Sequence, residues 1–259
     1  MDKTKTITLS DKPHKIYPYN AQHIGRREEQ QDYFTFSNIF DEKEVSRIGA
    51  VSILADGMGG MQNGRAASKT AVEVFMKSYK DDSDDTPDIS ERLLNAAYAA
   101  NEAVNKLDGA GSTLCAVVIK DWHLYWLSIG DSRIYLYRNG SIRQINKEHN
   151  FAAILDEQVK DGEITRIAAI NDPRSQMLTS YLGIPELEEI DIVKGIFPLF
   201  LGDSVMICSD GLYRELSDDE MSYILANGDE SVCEDLVNAA LAKEDINQDN
   251  ITVTLMDID

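Results

Sequence analysis

Four short turns that carry an aspartate sit beside apolar runs in this chain: Asp56-Gly57, Asp131-Ser132, Asp210-Gly211 and Asp249-Asn250. Three close such a run, after Ile53-Leu54-Ala55, Leu127-Ser128-Ile129-Gly130 and Val205-Met206-Ile207-Cys208-Ser209, and the fourth opens Ile251-Thr252-Val253-Thr254-Leu255. In an antiparallel sheet the end of one strand and the start of its neighbour share an edge, so four carboxylates from distant segments can meet there. Gathered anions repel one another unless cations hold them. Carboxylates joined by carbonyls and water suit magnesium or manganese rather than zinc. The glycines of Asp56-Gly57-Met58-Gly59-Gly60 leave backbone carbonyls free to approach an ion. Any one Asp-Gly pair is ordinarily just a turn; the joint placement beside strands is what points to a metal centre. Two hard cations roughly 3.5–4 Å apart can share one carboxylate and one water and generate hydroxide near neutral pH. Such a centre suits in-line attack on a phosphate ester.

A cation to hold the phosphate lies upstream. Arg26-Arg27-Glu28-Glu29-Gln30-Gln31-Asp32 falls between two predicted strands and can face the same edge. Taken locally it is equally a solvated mixed-charge loop, but beside a metal centre a guanidinium favours bidentate phosphate binding. The four histidines, His14, His23, His123 and His149, are scattered, lack ligand spacing and read as surface or packing residues. Asp81-Asp82-Ser83-Asp84-Asp85-Thr86-Pro87 reads as a solvated linker rather than a calcium loop.

The elements that must position these residues follow from apolar periodicity. Strands are expected at Ile7–Leu9, 17–24, 33–36 and 45–55. A helix should follow Asn63-Gly64, with Ala67, Ala71, Val74 and Phe75 at helical spacing, and a second should run from Ile89 to Leu107. A β meander fills 112–145, with Asn139-Gly140 as the strongest hairpin signal. Residues 150–170 turn helical and polar around Gly162, and Asp172-Pro173 favours a turn. The stretch at about 156–175 is therefore the candidate mobile flap, and with the cleft open to any phosphoester it is expected to select substrates. Strands return at 188–193 and 204–209, then helices near 217–226 and 230–242, and a last strand at 251–256. Strand runs with inserted helix pairs imply two packed antiparallel sheets with helices outside, in one domain over 1–259.

Composition sets limits. The chain has 259 residues, 43% of them hydrophobic, enough for a sizeable core. With 25 Lys and Arg against 45 Asp and Glu its net charge is −20, a poor match for a nucleic-acid backbone. Cys115, Cys208 and Cys233 are odd in number, distant and set in apolar runs, so no disulfide framework is expected. No signal core and no membrane-length apolar stretch is present, which reads as a cytoplasmic protein without membrane partners.

Five segments then fall into a recognisable order: Arg27-x-x-Gln30-Gln31-Asp32, Ala55-Asp56-Gly57-Met58-Gly59-Gly60, Gly130-Asp131-Ser132-Arg133, Cys208-Ser209-Asp210-Gly211-Leu212 and Asp249-Asn250. Each is weak alone; together they are highly specific. The chain resembles the PPM-type (type 2C) metal-dependent serine/threonine protein phosphatases, especially the compact bacterial ones, from about Gln22 to Met256. Gly111-Ser112-Thr113-Leu114 and Leu178-Thr179-Ser180-Tyr181-Leu182-Gly183 are also similar to family segments. The resemblance implies an α+β fold, a four-layer αββα sandwich of two antiparallel β-sheets flanked by helices, with metals in a cleft at one end. It implies that Asp56 bridges two Mn2+ or Mg2+ ions, that the Gly57 carbonyl serves one, and that Asp210 and Asp249 complete the other. Asp131, with Asp210, matches a weaker third-metal position, Arg27 the phosphate-binding arginine, and Asp32 an acidic residue supporting the metal-bound waters.

Three positions depart from the pattern. Gln31 stands where some members carry Glu, and Met58 where animal members place a histidine general acid, so protonation of the leaving group falls to metal-bound water. Ser180 replaces an arginine common in that segment. The expected function is hydrolysis of phosphoserine and phosphothreonine by a metal-bridging hydroxide, in a monomer whose partners are phosphorylated proteins, a Ser/Thr kinase or its targets. The alternatives are an inactive binding or regulatory module of the same fold, and a hydrolase of small phosphate esters.

Overall fold

The computed structural model describes residues 15–58, 63–83, 86 and 88–259. The expected strand at Ile7–Leu9, along with His14, Gly59, Gly60, Asp84, Asp85 and Pro87, lies outside the described residues. The elements run β1 (Ile16–His23), β2 (Asp32–Phe36), α1 (Glu42–Ile48), β3 (Ala50–Asp56), α2 (Gly64–Asp81), α3 (Ile89–Asn105), β4 (Leu114–Lys120), β5 (His123–Ile129), β6 (Arg133–Arg138) and β7 (Ser141–Gln144). They continue with α4 (Phe151–Lys160), α5 (Arg166–Ile170), β8 (Asp191–Ile192), β9 (Ser204–Cys208), α6 (Asp210–Tyr213), α7 (Asp218–Asn227), α8 (Val232–Leu241) and β10 (Ile251–Ile258).

The strands form two antiparallel five-stranded sheets, ordered β1-β10-β9-β6-β7 and β2-β3-β4-β5-β8. Helices α2 and α3 cover the second sheet, and α7 and α8 cover the first, giving the αββα layering. This layering explains why the central strands read as unbroken apolar runs. In β3, Val51, Ile53 and Ala55 face α2 and α3, while Ala50 and Leu54 face the other sheet. In β9, Val205 and Ile207 meet the other sheet, and Met206 and Cys208 meet the helices. A strand buried on both faces has no polar alternation to show. Each fully buried Leu, Ile or Val contributes about 1.5–3 kcal/mol relative to exposure, and both central strands are lined with such residues. Cys115, Cys208 and Cys233 are buried free thiols, as their apolar settings imply.

The structure corrects three expectations. Residues 45–48 are the end of α1, not strand: the Asp41 side chain caps the helix by accepting from the Lys43 and Glu44 amides, and Gly49 at φ 83° ends it before β3 begins. The strand expected at 188–193 is reduced to Asp191–Ile192, paired only with Leu127 and Ser128. In α2 the buried stripe is Ala67, Ala71, Val72, Phe75 and Tyr79, with Val74 only partly buried, because at about 100° per residue Val72 lies nearer than Val74 to the face centred on Phe75. Between β7 and β8, the stretch containing residues 156–175 forms α4 and α5 joined through Gly162, with Ile167 and Ile170 exposed. Among the described residues no helix is long and apolar enough to cross a membrane.

Candidate metal centre

Strand register brings the acidic residues together. Asp32 opens β2 and Asp56 closes β3, and the pairing sets them opposite each other. In the facing sheet, Cys208 near the end of β9 pairs with Val253 of β10 and with Arg133 at the start of β6. Asp210, Asp249 and Asp131 therefore leave their strands at one edge. Asp56 feels the charges of Asp32, Asp210, Asp131 and Asp249, so all five expected aspartates share one electrostatic neighbourhood.

Close backbone packing fixes this edge. A side chain on Gly211 would meet the Asn250 carbonyl oxygen at 2.1 Å, so only glycine lets the start of α6 lie against the start of β10. Gly25, at φ 62°, packs as closely on the Asp249 carbonyl, where an added Cβ would meet the oxygen at 2.0 Å. Asn250 then holds the arginine loop in place: its Nδ2 donates to the carbonyls of Ile24 (2.9 Å) and Glu29 (3.1 Å), and its Oδ1 accepts from the Gln31 amide (2.7 Å). The Asp56 backbone is held by Gly111-Ser112-Thr113, where Thr113 Oγ1 accepts from the Asp56 amide and Ser112 Oγ donates to its carbonyl, each at 2.9 Å.

The carboxyls are buried and mutually destabilising. Burial, then the neighbouring charge of Asp32, pushes Asp56 well above the usual carboxylate range. Burial raises Asp32 to about 7 even though Thr252 Oγ1 (2.6 Å) and Ser209 Oγ (2.9 Å) donate to its Oδ2. Asp131 is raised to about 7 by burial and by Asp210. Asp210 is raised by burial as well, with Arg214 opposing the shift and the charge of Asp249 adding to it. Two arginines answer this charge. Arg27 reaches Asp249 Oδ2 at 2.7 Å with its side chain 49% exposed, at the mouth of the site. Arg214 reaches Asp210 Oδ2 at 2.7 Å and stands 3.8 Å from Asp131 Oδ2.

The donors fit hard divalent cations. Asp32 Oδ1 and Asp210 Oδ1 are buried with no hydrogen-bond partner, and such unsatisfied carboxyl oxygens are the donors a hard cation would take. Among the described residues no three His, Cys, Asp or Glu side chains already stand at ligand spacing. Sequence reasoning missed Arg214, Asn250, Ser209 and Thr252. Only Arg214 had a local signal, the (i, i+4) pairing with Asp210 across α6.

With this geometry in place, known proteins supply the context. The sequence matches the profile of the family described as Protein phosphatase 2C over residues 20–244. The chain belongs to the protein phosphatase 2C family. It is 29% identical over 232 residues to the serine/threonine phosphatase stp of Listeria monocytogenes, covering 85% of this chain and 88% of that one. It superposes with a TM-score of 0.74 and 29% identity on the PPM Ser-Thr phosphatase MsPP of Mycobacterium smegmatis in complex with cacodylate, covering 93% of this chain and 97% of that one. The catalytic domain of the serine threonine protein phosphatase PstP, in complex with two manganese ions, matches with a TM-score of 0.73 and 27% identity, over 95% and 99% of the two chains.

Within this phosphatase 2C chain the three departures have structural consequences. Ser180 is buried and donates to the Glu189 carbonyl at 2.8 Å, tying together the segments on either side of residues 181–188. The Gln31 side chain packs against Gly64 at the start of α2 and donates to Glu29 Oε2 at 3.4 Å. The Met58 amide donates to the Gly111 carbonyl at 3.0 Å. His149 is not a ligand: its Nδ1 accepts from the Gly130 amide at 3.1 Å, bracing the turn that carries Asp131.

Proposed function

We infer that this chain is a metal-dependent protein serine/threonine phosphatase whose centre is the aspartate cluster at the sheet edge. The observation that carries the reading is the convergence of five buried or half-buried aspartates with Arg27 at the mouth, in a chain of the phosphatase 2C family. Asp56, Asp210 and Asp249, with the Gly57 carbonyl, would hold two Mn2+ or Mg2+ ions, and Asp32 would support their ligand shell from the cleft floor. When bound, such ions supply Lewis acidity toward phosphoryl oxygens and activate water near neutral pH.

The chain's own residues do the rest. Arg27 is held near the acidic edge by Asp249 and by the loop that Asn250 anchors. Turned toward a phosphoryl group, its planar guanidinium donates two parallel hydrogen bonds to the equatorial oxygens, over which the phosphoryl charge is spread in the transition state. Ser209 and Thr252 fix the Asp32 carboxyl by donating to Oδ2, leaving Oδ1 buried without a hydrogen-bond partner. Residues 156–175 are the flap that selects substrates. Exposed Ile167 and Ile170 on α5 give it an apolar surface for a phosphoprotein, and Gln176 just beyond it meets Arg214 at 3.5 Å.

The test is dephosphorylation of a phosphothreonine peptide with manganese, with chelator as control. Turnover should require the metal and should be abolished in Asp210→Asn. Full activity of that variant, or metal-independent turnover by the wild type, would overturn the assignment.

A further inference from the structure

Arg214 occupies a position that the metal chemistry does not require. It caps the four-residue helix α6, one helical turn beyond Asp210, and its guanidinium turns back into the cluster. One nitrogen, Nη2, lies 2.7 Å from Asp210 Oδ2 and 3.8 Å from Asp131 Oδ2; the other, Nη1, donates to Gln176 Oε1 at 3.5 Å. The two carboxylates it serves flank the paired strands β6 and β9, Asp131 just before one and Asp210 just after the other, and both residues are at most 8% exposed. Burial works against the arginine's charge, yet Asp210 foremost holds its pKa above the ordinary value. A guanidinium is permanently charged, and its Nη2 is the group nearest both carboxylates. A divalent ion between Asp131 and Asp210 would meet this fixed positive charge where it needs anionic ligands.

We propose that Arg214 is a built-in cation for the Asp131–Asp210 pair, so that the centre takes two divalent ions and rejects a third. The proposal rests on the metal-dependent reading above, but concerns only how many ions bind. The geometry sets a permanent positive charge beside the buried Asp131 and Asp210 carboxyls. It also separates the two arginines: Arg27 meets the one carboxylate of Asp249 at the mouth, whereas Arg214 faces Asp210 and Asp131 together and touches Gln176 beyond the flap.

The experiment is calorimetric titration of chelator-treated protein with manganese chloride, with the free ion counted by its electron paramagnetic resonance signal. The wild type should bind two equivalents. Arg214→Gln and Arg214→Met should each bind one more, with the added equivalent at least tenfold tighter than any third ion on the wild type. Asp131→Asn combined with Arg214→Gln should return the count to two. Two equivalents in both single variants, each shown folded by circular dichroism, would overturn the proposal, as would a wild type that already binds three. A wild type that binds no manganese would overturn the metal-dependent reading itself, and this inference with it.

Discussion

Replacing Asp32 by Asn should stabilise the metal-free protein, although it removes a hydrogen-bonded buried side chain. Asn keeps an oxygen to accept from Ser209 Oγ and Thr252 Oγ1, and its amide then occupies the place of Oδ1, which has no donor, in a carboxyl that feels the charges of Asp210 and Asp249. The magnitude follows from linkage. Asp32 has its pKa raised from 3.8 to about 7. Between those values the native state binds more protons than the unfolded chain, so this carboxyl costs stability progressively as pH rises from about 4 and reaches its full cost above about 7. At 1.36 kcal/mol per tenfold, the upper limit at pH 8 is about 4 kcal/mol. Asp56, Asp131 and Asp210 can each take up the proton instead, so a net gain of about 2 kcal/mol is expected at pH 8, shrinking below about 1 kcal/mol at pH 4. In a chain of this size that raises the melting temperature by about 4–8 °C. The assay is thermal unfolding in chelator at pH 8, 6 and 4, comparing variant with wild type so that His149, whose pKa burial lowers, cancels. With saturating manganese the order should reverse, because the wild type gains more from the ions. A variant less stable than wild type in chelator at pH 8 would refute the reasoning, since Asp32 would then be a net stabilising anion held by its two hydroxyl donors.

Two further predictions test packing on either side of the centre. Gly211→Ala places a methyl 2.1 Å from the Asn250 carbonyl oxygen, so α6 must shift from β10. The expected cost is about 1–3 kcal/mol in chemical denaturation, with at least tenfold weaker manganese binding by titration as Asp210 and Asp249 separate. Arg138→Ala acts at the far end of β6, where the guanidinium makes 2.8 and 2.7 Å bonds to Asp203, a residue only 2% exposed. Leaving that carboxylate unpaired should cost about 3 kcal/mol, read as a lower urea midpoint, while turnover per folded molecule stays unchanged.

The site was more legible in the sequence than the contacts that hold it. Asp56, Asp131, Asp210 and Asp249 could be found because strands buried on both faces give long apolar runs, and whatever follows such a run must emerge at a sheet edge. Residues 45–48 were misassigned because Val45 and Ile48 are apolar and adjoin a strand; the deciding signal was the cap at Asp41, a single side chain. Arg214 and Asn250 are harder cases. The contact from Arg214 to Asp131 spans 83 positions and depends on how β6 pairs with β9, and that register cannot be read from any local window. Ser209 and Thr252 look like ordinary polar interruptions of strands until β2 is laid across them.

The same contacts explain how the fold tolerates its own centre. Asp32, Asp56, Asp131 and Asp210 oppose folding when they ionise, and the hydroxyl donors to Asp32 do not cancel its burial. What brings the aspartates together is therefore not attraction among them. It is the pairing of apolar strands behind them and the contact of Gly211 and Gly25 with the backbone of residues 249–250, where no side chain could intervene. Sheet energy is spread over many residues, whereas the acidic cost falls on a few, so the cost can be relieved by cations without altering the strands. Arg27 and Arg214 relieve part of it from within the chain. Divalent ions bound at the remaining carboxylates would then stabilise the fold most at high pH, where those carboxylates are fully ionised, and least in acid, where protons take their place.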